Sequence, residues 1–185
     1  MDDRNEDRFV DVYKRHFPHV YAYCRRRISV DRVDDAVSET FLIAWRKLKT
    51  LPEDAKTLPW LYGIAYRVLL HKWRSGGRSR RLQVKLASLG VEQPKSAEEL
   101  IVASHEASQV LEATSRLRPK DQELLRLSFW EELSHTEVAD VLGLNPAAVR
   151  KRVSRALRAL AGEYEKIDGK NSRSALLGKE VSGGY

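Results

Sequence analysis

The chain has 185 residues, 42% of them hydrophobic, which is enough to pack one ordinary domain or two small ones and argues against disorder throughout. Its 33 Lys and Arg exceed its 26 Asp and Glu, giving a formal charge of +7; such a balance favours a polyanionic partner, because cations that neutralise phosphates release condensed counterions. With no apolar run of about 18 residues, a polar, acidic start (Met1, Asp2, Asp3, Arg4), a single cysteine (Cys24) and five His without paired ligand spacing, membrane insertion, an internal disulfide and a metal site are not expected.

Strand-like alternation is absent, and apolar residues recur at three and four, so the chain is expected to be all-α. Phe9, Tyr13, Phe17, Val20, Tyr21, Cys24 and Ile28 follow that period, with Pro18 suited to opening a second helix. A further helix fits Asp31 to Lys47 and another Pro59 to Arg74, separated by a loop, Lys49 to Leu58, that carries Pro52, Asp54 and Thr57. These helices make a first domain, residues 1–75. Ser75, Gly76, Gly77 and Arg78 break the pattern, and residues 76–96 read as a flexible linker. Helices are then expected to about Leu117, from Pro119 to Trp130, from Ser134 to Leu142 and from Asn145 to about Tyr164, a second domain over 97–164. Residues 165–185, with Gly169, Gly178, Gly183 and Gly184, read as a flexible tail.

Charge divides along the same lines. Ala55 to Val91 contains no Asp or Glu, and neither does Val141 to Gly162; both windows are rich in Arg and Lys, and an acidic stretch separates them. This is the pattern of two polyanion contacts on separate units, or of two solvated faces. On the helix Asp31 to Lys47 the buried face is Val33, Val37, Phe41, Ala44, Trp45 and Leu48, while Asp35, Glu39, Leu42, Ile43 and Arg46 lie opposite. Two adjacent aliphatics among charges fit a protein-binding surface, or scattered exposure. On the next helix Trp60, Arg67, His71 and Arg74 align on one stripe beside Gly63, with Tyr62, Ala65, Leu69 and Trp73 on the other side. A basic stripe with an aromatic can hold a single strand by phosphate attraction and base stacking; the alternative for Trp60 is a place half-buried in the domain core.

Near the carboxyl end, Ser134 and Glu137 have the spacing of a capping box, Gly143 closes that helix, and Asn145 with Pro146 opens the next one after a tight turn. A short helix, a Gly-bearing turn and a longer basic helix make a helix-turn-helix. On the second helix Val149, Val153, Ala156 and Leu160 share the packing side, and Ala147, Lys151, Ser154, Arg155 and Arg158 lie opposite. Arg150 and Arg152 flank that outer face, placed for phosphates on either side of a groove.

The run Leu117, Arg118, Pro119, then Leu124, Leu125, then Glu132 to Ala139 and on through Gly143 to Val149, Arg150, Lys151, Arg152, Val153, Ser154, Arg155, Ala156 resembles region four of sigma factors. Asp34 to Trp45 resembles region two of the small, extracytoplasmic-function (ECF) class, and Pro59 to Ala65 is similar to that family's minus-ten recognition region. The resemblance covers residues 5–163 as two blocks in the correct order, with too short a linker for a further domain. It implies that the recognition helix reads the minus-thirty-five element and that Asp35, Glu39, Leu42 and Ile43 meet RNA polymerase core, through its beta and beta-prime subunits. It also implies that the loop bearing Leu51 and Lys56, with Trp60, Arg67, His71 and Arg74, captures the opened minus-ten strand. Promoter DNA, polymerase core and an anti-sigma factor are the implied partners, no cofactor is implied, the polymerase performs the chemistry, and the protein is expected in the cytoplasm. Lys151, Leu157 and Arg67 stand where Ser, Arg and Asn are common, which bears on base preference. The rival reading is a stand-alone helix-turn-helix regulator that binds a symmetric operator as a dimer; an enzyme lacks support, since no metal carboxylate cluster, nucleophile elbow or phosphate-cradling loop is present.

Overall fold

The structure is a computed structural model that describes residues 3–87 and 105–181, with side chains placed for 5–73 and 106–169. Among the described residues every regular element is helical: α1 Asp3–Arg25, α2 Val33–Arg46, α3 Asp54–Ala87, α4 His105–Ser115, α5 Pro119–Phe129, α6 His135–Leu142 and α7 Pro146–Val181. Short 3-10 turns, Val30–Arg32 and Leu48–Thr50, bracket α2. Contacts divide the chain into one unit of residues 1–100 with Ala139–Leu144 and a second of residues 101–138 and 145–185.

The first unit packs α1, α2 and α3 against one another. Pro18 does not start a second helix, because α1 runs through it to Arg25. A proline in a helix interior costs about 3 kcal/mol, and the helix holds because Val12 and His16 before it and Val20, Tyr23 and Cys24 after it are buried. Phe41 of α2 sits among the rings of α1, with centroids 4.7 Å from Tyr13, 6.3 Å from Phe17 and 6.4 Å from Phe9. At the far end of α1, Tyr23 stacks on Tyr62 of α3 at 4.8 Å. Arg27 lies over the Tyr23 ring: its guanidinium carbon is 3.6 Å from the Tyr23 centroid, and Nη1 donates to the Tyr23 carbonyl at 3.0 Å.

The expected loop Lys49 to Leu58 is much shorter in the structure. Leu48–Thr50 forms a 3-10 turn, α3 begins at Asp54, and only Leu51–Glu53 joins them. Thr57, buried, closes the first turn of α3, its hydroxyl lying 3.3 Å from the Pro52 carbonyl and 3.4 Å from that of Glu53. Pro59 therefore lies inside the helix and not at its first position. The carbonyl it leaves without a donor belongs to Ala55, an exposed residue that water can reach. Nor does α3 stop at Arg74: it continues through Gly76 and Gly77 to Ala87. Each Gly costs about 1 kcal/mol relative to Ala, but Arg80, Arg81, Leu82, Gln83 and Lys85 are good helix formers. The remainder of the expected linker, residues 88–96, lies outside the described residues, as does the expected start of the second domain over 97–104.

His16 places a titratable group in the interior of the first unit. The residue is 8% exposed, and its Nδ1 has no hydrogen-bond partner. Burial, then the Arg15 and His19 charges, hold its pKa below the ordinary 6.5, while Asp54 opposes them. Arg15 pairs with Asp54 at 3.4 Å, so the site lies where α1 meets the start of α3. Folding favours the neutral ring, and below pH 6.5 the unfolded chain takes up a proton that the folded chain resists. Stability is therefore lost as the pH falls from about 6.5 toward the folded pKa. Urea midpoints between pH 7.5 and 5.0 are expected to fall more steeply for the wild type than for His16→Leu; parallel slopes would show that this histidine contributes no such dependence.

In the second unit α7 packs on α4 and α5, burying Ala113, Leu124, Leu127, Val149, Val153 and Ala156. The expected end near Tyr164 and the start of a tail at 165 are overrun, since α7 continues to Val181. The extension has partners on α4. Tyr164 donates to Gln109 Oε1 at 3.3 Å, Gln109 Nε2 to Asp168 Oδ1 at 3.5 Å, and Ile167 is buried.

Candidate nucleic-acid interface

The helix-turn-helix forms as its end groups require. Glu137 Oε2 accepts from the Ser134 amide at 2.8 Å, and the Glu137 amide approaches Ser134 Oγ at 3.3 Å, which closes the capping box reciprocally. Gly143 has φ +65, the left-handed conformation that a helix end favours and a side chain resists. There the Leu144 amide returns to the Ala139 carbonyl at 2.9 Å. Asn145 Oδ1 then accepts from the Ala147 amide at 2.9 Å, capping α7 with Pro146 in its first position.

These caps fix which face of α7 is free. Val149, Val153 and Ala156 are buried and Leu160 is half-buried, while Ala147, Arg150, Lys151, Arg152, Ser154, Arg155 and Arg158 are all exposed. Arg150, Lys151, Ser154, Arg155 and Arg158 line one shallow concavity of about 480 Å³. Arg150 thus joins the outward set, to which its spacing had given a flanking place, and Arg152 and Ala147 do not line the concavity. Arg158 donates to Ser154 Oγ at 3.0 Å, which orients its guanidinium along the helix. Four cations beside one hydroxyl and no acid can hold phosphate oxygens and present donors to base edges.

On α3, Arg67 and His71 are exposed, Trp60 is half-buried, and Lys56 is exposed on the first turn of the helix and not on a loop. Leu51 is half-buried in the short connection. The Arg74 side chain lies outside the described residues. The Arg67 guanidinium lies over Gly63, with Nη2 3.6 Å from where a Cβ would stand; that is ordinary contact, so the approach does not require glycine. Two further α3 residues lie outside the stripe, Trp73 exposed and Lys72 half-buried. Trp73 is 40% exposed, and Lys72, beside His71, reaches Glu39 of α2 at 3.2 Å.

On α2, Asp35 and Leu42 are exposed, while Glu39 and Ile43 are half-buried. Leu42 opens onto a groove of about 500 Å³ between α1 and α2 that Phe9, Tyr13, Phe41 and Trp45 also line, with Asp34 among them. Phe9 and Tyr13 follow the helical period of α1, but that period could not show that they line an open groove. Among the described residues no group of three or more His, Cys, Asp or Glu could hold a metal ion, and no helix is long and apolar enough to cross a membrane.

Two family models match, Sigma-70 region 2 over residues 12–79 and Sigma-70 region 4 over 107–160. The probable RNA polymerase sigma factor RfaY of Xanthomonas campestris pv. campestris is 36% identical over 70% of this chain and 33% of its own length. The ECF RNA polymerase sigma factor BldN of Streptomyces coelicolor is 32% identical over 84% and 60%, and the RNA polymerase sigma factor NccH of Alcaligenes xylosoxydans xylosoxydans 31% over 67% and 68%. The chain therefore spans between 33% and 68% of these relatives' lengths. In fold it is similar to the sigma factor RpoE of Bartonella quintana, solved in complex with the anti-sigma factor NepR, with TM-score 0.61 and 21% identity over 85% of this chain and 96% of that one.

Proposed function

The chain belongs to the sigma-70 family of RNA polymerase sigma factors, among those of the ECF type, and from that membership we propose that it binds RNA polymerase core and directs it to promoters, where it helps open the DNA. The observation that carries this reading is the exposed, acid-free face of α7 gathering Arg150, Lys151, Ser154, Arg155 and Arg158, on the same chain as a region 2 match that a simple repressor does not need. Residues 97–164 take the minus-thirty-five element in the major groove, and residues 1–75 take the opened minus-ten strand through Leu51, Lys56, Trp60, Arg67, His71 and Arg74. Asp35, Glu39, Leu42 and Ile43 meet the polymerase. Two contacts on one chain raise the effective concentration for each other, so neither needs to be strong alone. The polymerase carries out the chemistry in the cytoplasm, and an anti-sigma factor that covers these surfaces is the expected regulator; the similar RpoE is solved in complex with the anti-sigma factor NepR.

Transcription from a promoter library by core enzyme, with and without the full chain, tests the proposal. The expected result is a set of transcripts that share an upstream and a downstream element and depend on the chain. Tight binding to a symmetric operator as a dimer, with no core-dependent transcripts, would instead identify a stand-alone regulator.

A further inference from the structure

Ser154 sits at the centre of the basic face of α7. Arg150 and Arg158 lie one turn before and one turn after it, and Lys151 lies three residues before it, so all three are its neighbours on the helix surface. With Arg155 these residues line the concavity of about 480 Å³, and each of them is exposed. Arg158 Nη2 already donates to Ser154 Oγ at 3.0 Å. Val141 to Gly162 contains no Asp or Glu, so no carboxylate of that stretch competes for these cations. A phosphoryl group carries about −1.5 to −2 charges near pH 7 and three strong acceptor oxygens. Joined to Ser154 Oγ, it would stand within reach of Arg150, Lys151 and Arg158 along one helix, in charge-assisted hydrogen bonds that keep the helix intact and occupy its donors.

We propose that Ser154 is a phosphorylation site that switches the factor off, by drawing the cations of α7 onto a phosphate of the chain's own and away from those of DNA. The proposal rests on the reading of this face as the promoter contact. The enzyme it calls for is a serine kinase with an acidic substrate cleft, since Arg150, Lys151 and Arg152 stand two to four residues before the hydroxyl and Arg155 follows it. Ser154 Oγ attacks the γ-phosphorus of a nucleoside triphosphate, and the bond from that phosphorus to the oxygen bridging it to the β-phosphorus breaks. Nucleoside diphosphate leaves, and the hydroxyl proton passes to a base of the kinase. Promoter DNA covers the same hydroxyl, so only factor that is not engaged on DNA is modified.

The test treats the full folded chain with magnesium ATP and the catalytic subunit of an arginine-directed serine kinase, and maps the phosphate by mass spectrometry. Modified and unmodified chains are then assembled with polymerase core and titrated with promoter duplex over a salt series. The phosphate is expected on Ser154, and Ser154→Ala should take up none there. Cancelling about two cations should make the slope of log affinity against log salt shallower by about 1.8, or about 0.9 for each DNA phosphate contact given up, and weaken binding about 10- to 100-fold at about 0.1 M salt. Ser154→Asp, with one charge, should change the slope by about half as much. Circular dichroism melts separate pairing from plain repulsion: the phosphate should leave the melt of the wild-type chain in place and lower that of a chain carrying Arg150→Gln and Arg158→Gln. No phosphate on Ser154, an unchanged slope and affinity once it is there, or a lowered wild-type melt would overturn the switch while the promoter reading stands. If the unmodified chain gives core no affinity for promoter duplex, the promoter reading itself fails, and the switch fails with it.

Discussion

Arg155→Ala is expected to weaken binding of the polymerase-bound factor to promoter duplex by about 1 to 3 kcal/mol and to relax its preference at one or two positions of the upstream element. The size follows from the kind of contact. Arg155 is exposed on the face of α7 opposite the buried Val149, Val153 and Ala156, and it lines the concavity with Arg150, Lys151, Ser154 and Arg158. A guanidinium in that place can meet two acceptors of one base edge at once, which a lysine cannot do. The loss should therefore depend on sequence: large on the preferred element, small on a scrambled one. Arg152, also exposed but outside the concavity, supplies the comparison, since Arg152→Ala should lower affinity evenly across sequences and make the salt dependence shallower by about 0.9 per lost phosphate contact. Binding to a randomised duplex library measures both patterns. An even loss for Arg155→Ala would move that side chain to the phosphate backbone.

How much of this was legible in the sequence depended on how local the controlling chemistry is. The capping box of Ser134 and Glu137, the Gly143 turn and the Asn145 cap with Pro146 are each decided within a few residues, and all three took the predicted form. With the caps fixed, the period of Val149, Val153 and Ala156 determined the free face of α7. Breaks were misread where distant packing or helix propensity outweighed a single residue. Pro18 stays within α1 because both of its neighbouring turns are buried, and the helix past Tyr164 is held by Gln109, which lies 55 residues away in sequence. Pro59 and the Gly76–Gly77 pair likewise lie inside α3. Contacts between helices had no sequence signal at all. Nothing in the stripe Trp60, Arg67, His71 pointed to the pairing of Lys72 with Glu39, and nothing in the period of α1 pointed to a groove open along Phe9 and Tyr13.

The shortened connection before α3 sharpens what should happen when the DNA opens. Leu51 is half-buried between the 3-10 turn and α3, Lys56 is exposed on the first helical turn, and Arg67 is exposed three turns further along the same helix. If these residues hold the displaced strand, their contacts exist only after the duplex has separated, and the energy they supply offsets the few kcal/mol needed to unstack and extrude a base. Arg67→Glu and the double change Leu51→Ala with Lys56→Ala should therefore leave the closed complex nearly normal and reduce strand opening, read by permanganate reactivity of unpaired thymines. Reversing the charge at Arg67 both removes an attraction and adds a repulsion, so it should be the more severe of the two. A template with a premelted bubble removes most of the unpairing cost before the protein arrives, and it should partly rescue both variants because what they lack is the drive to open. Arg155→Ala should show the opposite behaviour, since its defect lies in duplex recognition and a downstream bubble does not restore that. Variants at Leu51, Lys56 or Arg67 that lose core binding, or that lose duplex binding as severely as Arg155→Ala, would remove this segment from strand capture.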